Sequence, residues 1–415
     1  MTAPAAPTRM RRAHARTAAA LSAVTVGGIA LAYAAYAVLA PVPAVAATLQ
    51  PLTGFSTPAA SVVLPGYGAG AIGGAADGLI YAGSDLDTPR PIASITKVVT
   101  ALVVLDAHPI AAGQPGATLT LTPADAALRE RYAAVGGTTA PAPAGLAISE
   151  RQVIELMMVQ SANNYAETLA TWAFGSTEAY LAAARSWLDA RGLATVSIAD
   201  PTGFSPGNTA PPRALLELGR LALADPVVSA ASALPSVTVP GVGTFENRNR
   251  LVGVDGVTGL KTGTLDEAGA CLLFTALHEI EGESVPLVGV VLGGPDHARV
   301  AADVRALLAS VRDDFHAVPV ATAGELVALY RAPWGETARV EVAQSREELV
   351  WGPVVSRLAV ALPDLAPGLP PPPLGPLTVR FGGSTVDVAL ELDEPLEGPD
   401  LAWRLSRPLV DLLGG

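Results

Sequence analysis

The order of its hydrophobic patterns constrains the fold of this chain most. Short apolar segments at 69–74 and 79–82 flank a polar turn, which predicts an early β-hairpin. Strands, then mainly helices, then strands again predict an α+β domain with an antiparallel sheet. The helical stretches are 94–107, 149–160, 164–174, 177–191 and 213–224. They are followed by a strand-like stretch at 260–264, by a strand pair at 270–277 and 285–292, and by a last helix at 299–315.

The character of the sequence changes after His316. Residues 338–342 and 386–393 alternate apolar and polar side chains with a period of two, and residues 377–381 do so more loosely. This pattern is typical of half-buried strands. We therefore predict an α+β domain over 51–316 and a small all-β domain over 317–415. The proline-rich segment 363–376 is expected to form a stiff loop.

The first fifty residues read as an export signal. Arg9, Arg11, Arg12 and Arg16 precede a stretch without charged residues that runs from Thr17 to Gln50. Positive charge ahead of an apolar run keeps the N-terminus in the cytoplasm and sends the following chain across the membrane. The small residues 44–46 suit signal peptidase, whereas the 23 residues 18–40 are long enough to remain as a membrane anchor. The sequence leaves both outcomes open and places the rest of the chain outside the cytoplasm. No amphipathic anchor helix is expected after Leu401.

Charge and composition exclude several classes of function. The net charge of −12 argues against a nucleic-acid partner. One cysteine, Cys271, excludes an internal disulfide framework, and it is expected to be a buried small hydrophobe. The five histidines show no metal-ligand spacing, so neither a metal nor a cofactor is predicted. The 26 basic residues comprise 24 Arg and only two Lys, Lys97 and Lys261.

Both lysines lie in motifs that suit acyl transfer. Ser94-Ile95-Thr96-Lys97 opens a predicted helix, so the lysine amine can reach the serine hydroxyl three residues away and act as its base. Ser161-Ala162-Asn163 offers a hydroxyl that can relay a proton and an amide that can hold a substrate carbonyl. Lys261-Thr262-Gly263 lies on a predicted strand, where its ammonium and hydroxyl suit a substrate carboxylate. Each motif alone is weak, but their joint order predicts a nucleophilic serine enzyme.

The motif set resembles that of penicillin-binding proteins and class A β-lactamases. The flanking sequence is similar to one branch, the serine D-alanyl-D-alanine carboxypeptidases or low-molecular-mass penicillin-binding proteins, over about residues 60–315. Four stretches carry this similarity: 91–97, 160–164, 200–208 (Asp-Pro-Thr-Gly-Phe-Ser-Pro-Gly-Asn), and 254–256 with 261–263. The resemblance implies a β-lactamase/transpeptidase-like domain, an antiparallel sheet flanked by helices, followed by a small all-β domain.

The resemblance also implies roles and partners. Ser94 is the nucleophile, Lys97 its base and Ser161 the proton relay, whereas Asn163, Lys261, Thr262, Gly263 and Thr264 bind substrate, with the N–H groups of Ser94 and Thr264 holding the oxyanion. The implied substrate is a peptidoglycan stem peptide ending in D-Ala-D-Ala, with β-lactams as covalent inhibitors. Arg299 is a candidate second partner for the substrate carboxylate, although an ordinary surface arginine explains it nearly as well.

Two other functions compete with this interpretation. A class A β-lactamase needs a glutamate that activates the deacylating water, but residues 197–208 contain Asp200 and no Glu. A cell-wall scaffold that binds peptidoglycan without turnover would not need Ser94, Lys97, Ser161 and Lys261 together. The sequence does not determine the balance between carboxypeptidase and transpeptidase activity.

Overall fold

A computed structural model describes residues 8–111 and 113–413. The chain forms two compact units. The first unit contains the N-terminal residues to Thr57, residues 317–348 and the chain from Val354 onward, and the second contains residues 58–316 and 349–353. The functional assignment of these parts stays a prediction.

The helices are α1 (Thr8–Leu39), α2 (Thr96–Ala107), α3 (Pro123–Ala134), α4 (Glu150–Val159), α5 (Asn163–Phe174), α6 (Thr177–Ala190), α7 (Pro212–Ala224), α8 (Pro226–Ser232), α9 (His297–Asp313) and α10 (Leu401–Leu413). A 3₁₀ turn (Ala93–Ile95) precedes α2. The strands are β1 (Ala47–Leu49), β2 (Ala69–Gly74), β3 (Ile80–Ser84), β4 (Arg90–Pro91), β5 (Thr118–Thr120), β6 (Ala147–Ser149), β7 (Thr209–Ala210), β8 (Ser236–Val239), β9 (Gly243–Glu246), β10 (Val257–Leu265), β11 (Gly269–Ile280), β12 (Glu283–Gly294), β13 (Phe315–Ala321), β14 (Leu326–Arg331), β15 (Thr337–Val342), β16 (Arg346–Trp351), β17 (Arg357–Val360), β18 (Leu377–Phe381), β19 (Ser384–Val388) and β20 (Leu390–Leu392).

The second unit is built on a five-stranded antiparallel sheet with the order β10-β11-β12-β2-β3. The hairpin β2–β3 from the start of the unit thus joins the three strands from its end. Successive side chains of a strand point to opposite faces, so Leu273 faces the main helical core and Leu272 and Phe274 face α9. Helices cover both faces of the sheet, which confirms the predicted α+β domain.

Most helices of this unit begin and end within two residues of the predicted bounds. Ser149 begins α4 with a capping box, in which its hydroxyl accepts the Gln152 backbone N–H and the Gln152 side chain accepts the Ser149 N–H. The sequence analysis did not predict α3. That helix also begins with a capping box, between Thr122 and Asp125, but only Tyr132 is buried along it, so it lacks a strong apolar stripe.

The first unit is rich in strands, as predicted. Its sheets have the orders β1-β14-β15-β20 and β17-β18-β19. Along β15, Ala338, Val340 and Val342 are buried and alternate with polar side chains, which is the period-two pattern of the sequence. The strand-rich character predicted for residues 317–415 is therefore confirmed up to Leu392, and a helix, α10, follows these strands.

The N-terminal and C-terminal helices both belong to this first unit. Residues 12–39 of α1 are long and apolar enough to cross a membrane, by length and composition. The expectation that no amphipathic helix follows Leu401 is wrong, because α10 is a strongly amphipathic helix. Pro408 lies within it, and proline normally disfavours the interior of a helix, so the sequence obscures this element.

Candidate active site

The structure places Ser94 and Lys97 together at the start of α2. Ser94 lies in the 3₁₀ turn, and three residues on a helical backbone bring the Lys97 side chain back to it. The Lys97 Nζ atom donates a hydrogen bond to Ser94 Oγ over 2.9 Å. Lys97 is fully buried, whereas Ser94 is partly exposed and lines a cavity. The pair therefore joins a sheltered amine to an accessible hydroxyl.

The turn that presents Ser94 is strained and closely packed. Ala93 has φ +47°, a conformation that non-glycine residues seldom adopt and that clusters at functional sites. A Cβ atom at Gly203, which has φ +78°, would lie 1.9 Å from the Ala93 carbonyl oxygen. A Cβ atom at Gly263 would lie 2.8 Å from the Ile92 carbonyl oxygen and 3.3 Å from the Ser94 nitrogen. Both glycines therefore let neighbouring backbone approach the serine.

The loop 200–208 is a hydrogen-bonded support for this turn. The Asp200 carboxylate accepts backbone N–H bonds from Thr202, Gly203 and Ser205, and its second oxygen also accepts the Asn208 side-chain amide. Burial raises the pKa of Asp200, but these hydrogen bonds outweigh it and leave the pKa below its usual value. The loop returns to the nucleophile through the Ile92 N–H, which donates to the Asn208 carbonyl over 3.0 Å.

Ser161 lies in the turn between α4 and α5, and Asn163 is the first residue of α5. Ser161 is 4% exposed, has φ +66° and lines the same cavity as Ser94. Asn163 Oδ1 accepts a hydrogen bond from Lys97 Nζ over 2.7 Å. Lys97 also donates to the Thr202 carbonyl. The amine thus contacts the nucleophile, the second motif and the supporting loop. Three donated bonds belong to the ammonium form; the neutral amine keeps two N–H groups for Asn163 and Thr202 and turns its lone pair to the Ser94 hydroxyl.

The third motif lies on the edge strand β10, paired with β11. Lys261 stands opposite Leu273, and Gly263 stands opposite Cys271. Lys261 is 1% exposed, and its Nζ donates to the Thr262 carbonyl over 3.1 Å. Thr262, Gly263 and Thr264 line the cavity. The expectation that Cys271 is buried is confirmed.

Burial lowers the pKa of both lysines. Loss of solvation lowers the pKa of Lys97 to about 7, with Asp200 opposing the change and Arg248 adding to it. Burial also lowers the pKa of Lys261 well below its ordinary value, and the positive charges of Lys97 and Arg248 lower it further. An amine with a pKa near 7 is substantially neutral at physiological pH, as a proton acceptor must be.

The cavity has a volume of about 310 Å³, and among the described residues no carboxylate lines it. The sequence analysis missed four of its lining residues: Thr138, Arg248, Arg250 and His297. His297 Nε2 lies 2.7 Å from Thr264 Oγ1. Burial lowers the pKa of His297, as do Lys261 and Arg248, while Asp296 raises it. This lining suits an anionic ligand.

Arg299 does not belong to this cavity lining. Its Nε donates to Asp303 Oδ2 over 2.9 Å, one helical turn further along α9, and its side chain is largely exposed. Tyr67 also donates to the same carboxylate oxygen. Arg248 and Arg250, not Arg299, are the arginines in the cavity lining.

Taken together, the structure gathers all eight predicted site residues. Ser94, Ser161, Thr262, Gly263 and Thr264 line the cavity. Lys97 and Asn163 join it through hydrogen bonds, and Lys261 lies buried on the adjoining strand. Within residues 8–111 and 113–413, no cluster of three or more His, Cys, Asp and Glu side chains is arranged to hold a metal ion. The arrangement can activate a serine against a carbonyl next to a carboxylate.

Comparisons with known proteins agree with this chemistry. A family model described as D-alanyl-D-alanine carboxypeptidase matches residues 71–296. A D-alanyl-D-alanine endopeptidase of Pseudomonas aeruginosa is 30% identical over 198 residues, which cover 45% of this chain and 59% of the relative. The enzyme of the same description from Escherichia coli is 28% identical, over 49% of this chain and 64% of its own length. The chain thus spans less than two thirds of these relatives.

Solved structures share the fold. The crystal structure of the D-alanyl-D-alanine carboxypeptidase DacD from Francisella tularensis matches with a TM-score of 0.56 and 20% identity, covering 84% of this chain and 97% of that one. A Streptomyces DD-transpeptidase matches with a TM-score of 0.52 and 22% identity, over 61% of this chain and 98% of that one. The second unit therefore has the fold of penicillin-binding proteins and β-lactamases.

Proposed function

Because the chain belongs to the D-alanyl-D-alanine carboxypeptidase family, we propose that it is a serine peptidase that removes the terminal D-alanine from peptidoglycan stem peptides. The observation that carries this proposal is the 2.9 Å hydrogen bond between Lys97 Nζ and Ser94 Oγ, at the rim of a cationic cavity. A buried amine with a pKa of about 7 supplies the base that a serine alcohol needs.

The first step of the reaction is acylation of Ser94. Lys97 takes the Ser94 hydroxyl proton while Oγ attacks the carbonyl carbon between the two D-alanines. The backbone N–H groups of Ser94 and Thr264 stabilise the oxyanion, an effect of about 3 kcal/mol for a single donor in well-studied enzymes. The C–N bond then breaks, Ser161 passes a proton to the departing amine, and an ester on Ser94 remains. Water hydrolyses this ester and restores the serine.

Carboxylate recognition sets the position of the scissile bond. In the leaving D-alanine, one carbon atom separates the carboxylate from the departing nitrogen. Lys261 and Thr262 lie beside the turn that carries Ser94. Lys261 is buried, so a carboxylate that enters the cavity favours its charged form. Arg248 and Arg250 add two further cationic groups at the cavity. Asn163 contributes its side-chain amide, which suits the carbonyl of the preceding residue.

Endopeptidase activity is the second candidate, because the two curated relatives described above carry that name. The two activities share the acyl-enzyme and differ in the leaving group, which is a single D-alanine or a second stem peptide. A β-lactamase is less well supported, since Asp200 uses both oxygens to hold its own loop and no glutamate lies in 197–208. Export across the membrane is part of the proposal, because the substrate class lies outside the cytoplasm.

D-alanine release is the direct test. The protein is incubated with a synthetic peptide ending in D-Ala-D-Ala, with the same peptide carrying a C-terminal amide, and with a cross-linked peptide dimer. We expect D-alanine from the free acid, little reaction of the amide, and no reaction with Ser94→Ala. Cleavage of the dimer alone would replace the carboxypeptidase with an endopeptidase. No cleavage of any substrate would favour the scaffold.

A further inference from the structure

We propose that α1 is not removed as a signal peptide but stays in the mature protein as its membrane anchor. The sequence leaves cleavage after Ala46 and anchoring equally open. Three observations within the first unit favour retention: the pairing of the cleavage region, the contact between α1 and α10, and the apolar surface of α1.

The predicted cleavage region is part of the folded unit. Val45 is 7% exposed and pairs with Leu365 in both directions, each backbone N–H donating to the other residue's carbonyl over 2.9 Å. Directly after the predicted cleavage point, Ala47 begins β1 and stands opposite Tyr330 of β14. Cleavage after Ala46 would remove a buried side chain and two backbone hydrogen bonds. Buried backbone groups without partners are costly, so the fold needs residue 45.

The C-terminal end of α1 is capped by α10. The last carbonyls of a helix have no partner within the helix, and a cation there also interacts favourably with the helix dipole. Arg404 of α10 donates to the Val38 carbonyl over 2.8 Å and to the Ala40 carbonyl over 3.4 Å. Tyr33 of α1 donates its hydroxyl to the Leu405 carbonyl. Removal of α1 would leave Arg404 without these acceptors.

α1 exposes surface that a lipid bilayer would cover. The 28-residue span from Arg12 to Leu39 extends about 42 Å, more than the hydrocarbon thickness of about 30 Å. Its apolar side chains are exposed, Val24 at 73% and Leu31 at 74%. An exposed apolar surface of this length suits the interior of a bilayer better than water.

One experiment determines the N-terminus of the mature chain. The full chain is expressed in a bacterial host with its natural N-terminus, recovered from the membrane and the soluble fractions, and analysed by intact mass. Ala46→Leu, which removes the small residue that signal peptidase requires at this point, is the matched variant. We expect wild type and variant each to have the mass of its own uncleaved chain, differing only by the substitution, and to resist alkaline extraction from the membrane. A wild-type chain that begins at Ala47, with only the variant uncleaved, would overturn the proposal.

Discussion

Acylation of Ser94 should accelerate as the pH rises through neutrality. Only the neutral amine of Lys97 can accept the serine proton, and burial lowers its pKa to about 7. From that value the neutral fraction is about 9% at pH 6, about 50% at pH 7 and about 91% at pH 8. We therefore expect the acylation rate to rise about tenfold between pH 6 and pH 8 and to level off above it. Burial, with the charges of Lys261 and Arg248, lowers the pKa of the nearby His297 from its ordinary value.

Substitution of a nearby cation, Arg248, tests whether the pKa of Lys97 sets this pH dependence. Arg248 lowers the pKa of Lys97 through its positive charge, so Arg248→Gln should raise that pKa and shift the profile toward higher pH. Arg357→Gln is the matched control, because Arg357 is an exposed arginine in the first unit. Its profile should coincide with that of wild type.

The assay follows the covalent adduct of benzylpenicillin by intact mass in rapid-quench samples from pH 5.5 to pH 9.5. A profile that is flat across this range, or one that begins to rise only above pH 9, would refute a neutral Lys97 as the base. An Arg248→Gln profile that matches wild type would show that the arginine charge does not reach the lysine.

Three further predictions test the supporting structure. Gly203→Ala should lower the free energy of unfolding by about 2 kcal/mol and slow acylation, because the new Cβ atom would collide with the Ala93 carbonyl oxygen. Gly192→Ala is the matched control for thermal unfolding and for the mass assay: Gly192 has φ +71° and no atom within 4 Å of an added Cβ, so acylation should be unchanged. Lys97→Met should abolish acylation yet stabilise the fold, most strongly below pH 7 and by at most about 5 kcal/mol. The wild-type free energy of unfolding rises with pH between about 7, the pKa of Lys97 in the folded protein, and 10.5, its pKa in the unfolded chain. Denaturant titrations at pH 6 and pH 10 that show equal gains in stability for the variant would contradict this linkage. Arg250→Gln should raise the KM for the D-Ala-D-Ala peptide about tenfold with kcat nearly unchanged, as expected for the loss of one charge-assisted hydrogen bond, and an unchanged KM would remove Arg250 from substrate binding.

The sequence predicts the parts of the site that depend on local geometry. Ser94 and Lys97 are neighbours because three helical residues separate them, and this follows from helix geometry alone. The buried strands around Lys261 are likewise visible as apolar runs. The three motifs could therefore be located before the fold was known, and the structure brings them together around one cavity, while the chemistry assigned to them stays a prediction.

The residues that the sequence analysis missed depend on topology. His297 follows β12, which pairs with β11 so that Gly294 stands opposite Ala270, and Ala270 in turn stands opposite Thr264. Only this two-step register brings the histidine to the cavity. The sequence does carry a signal for His297: if the last three strands form an antiparallel sheet in sequence order, β10 and β12 end at the same edge of the sheet.

The terminal helices show a similar limit. The amphipathic pattern of α10 is short and contains Pro408, so its helical form depends on tertiary contacts such as those of Arg404 and Leu405 with α1. Such a partner, more than 350 residues away in the chain, leaves no trace in local periodicity. Helix propensity is a weak guide wherever tertiary packing decides the structure.

The central claim is that Ser94 is an activated nucleophile, and one measurement tests it most directly. The full chain and its Ser94→Ala variant are mixed with benzylpenicillin, and intact mass is followed over time together with the concentration of free drug. We predict a long-lived adduct of one drug molecule on the wild type and none on Ser94→Ala. No adduct with the drug intact would contradict the account in favour of a scaffold, and no adduct with the drug consumed would indicate a β-lactamase.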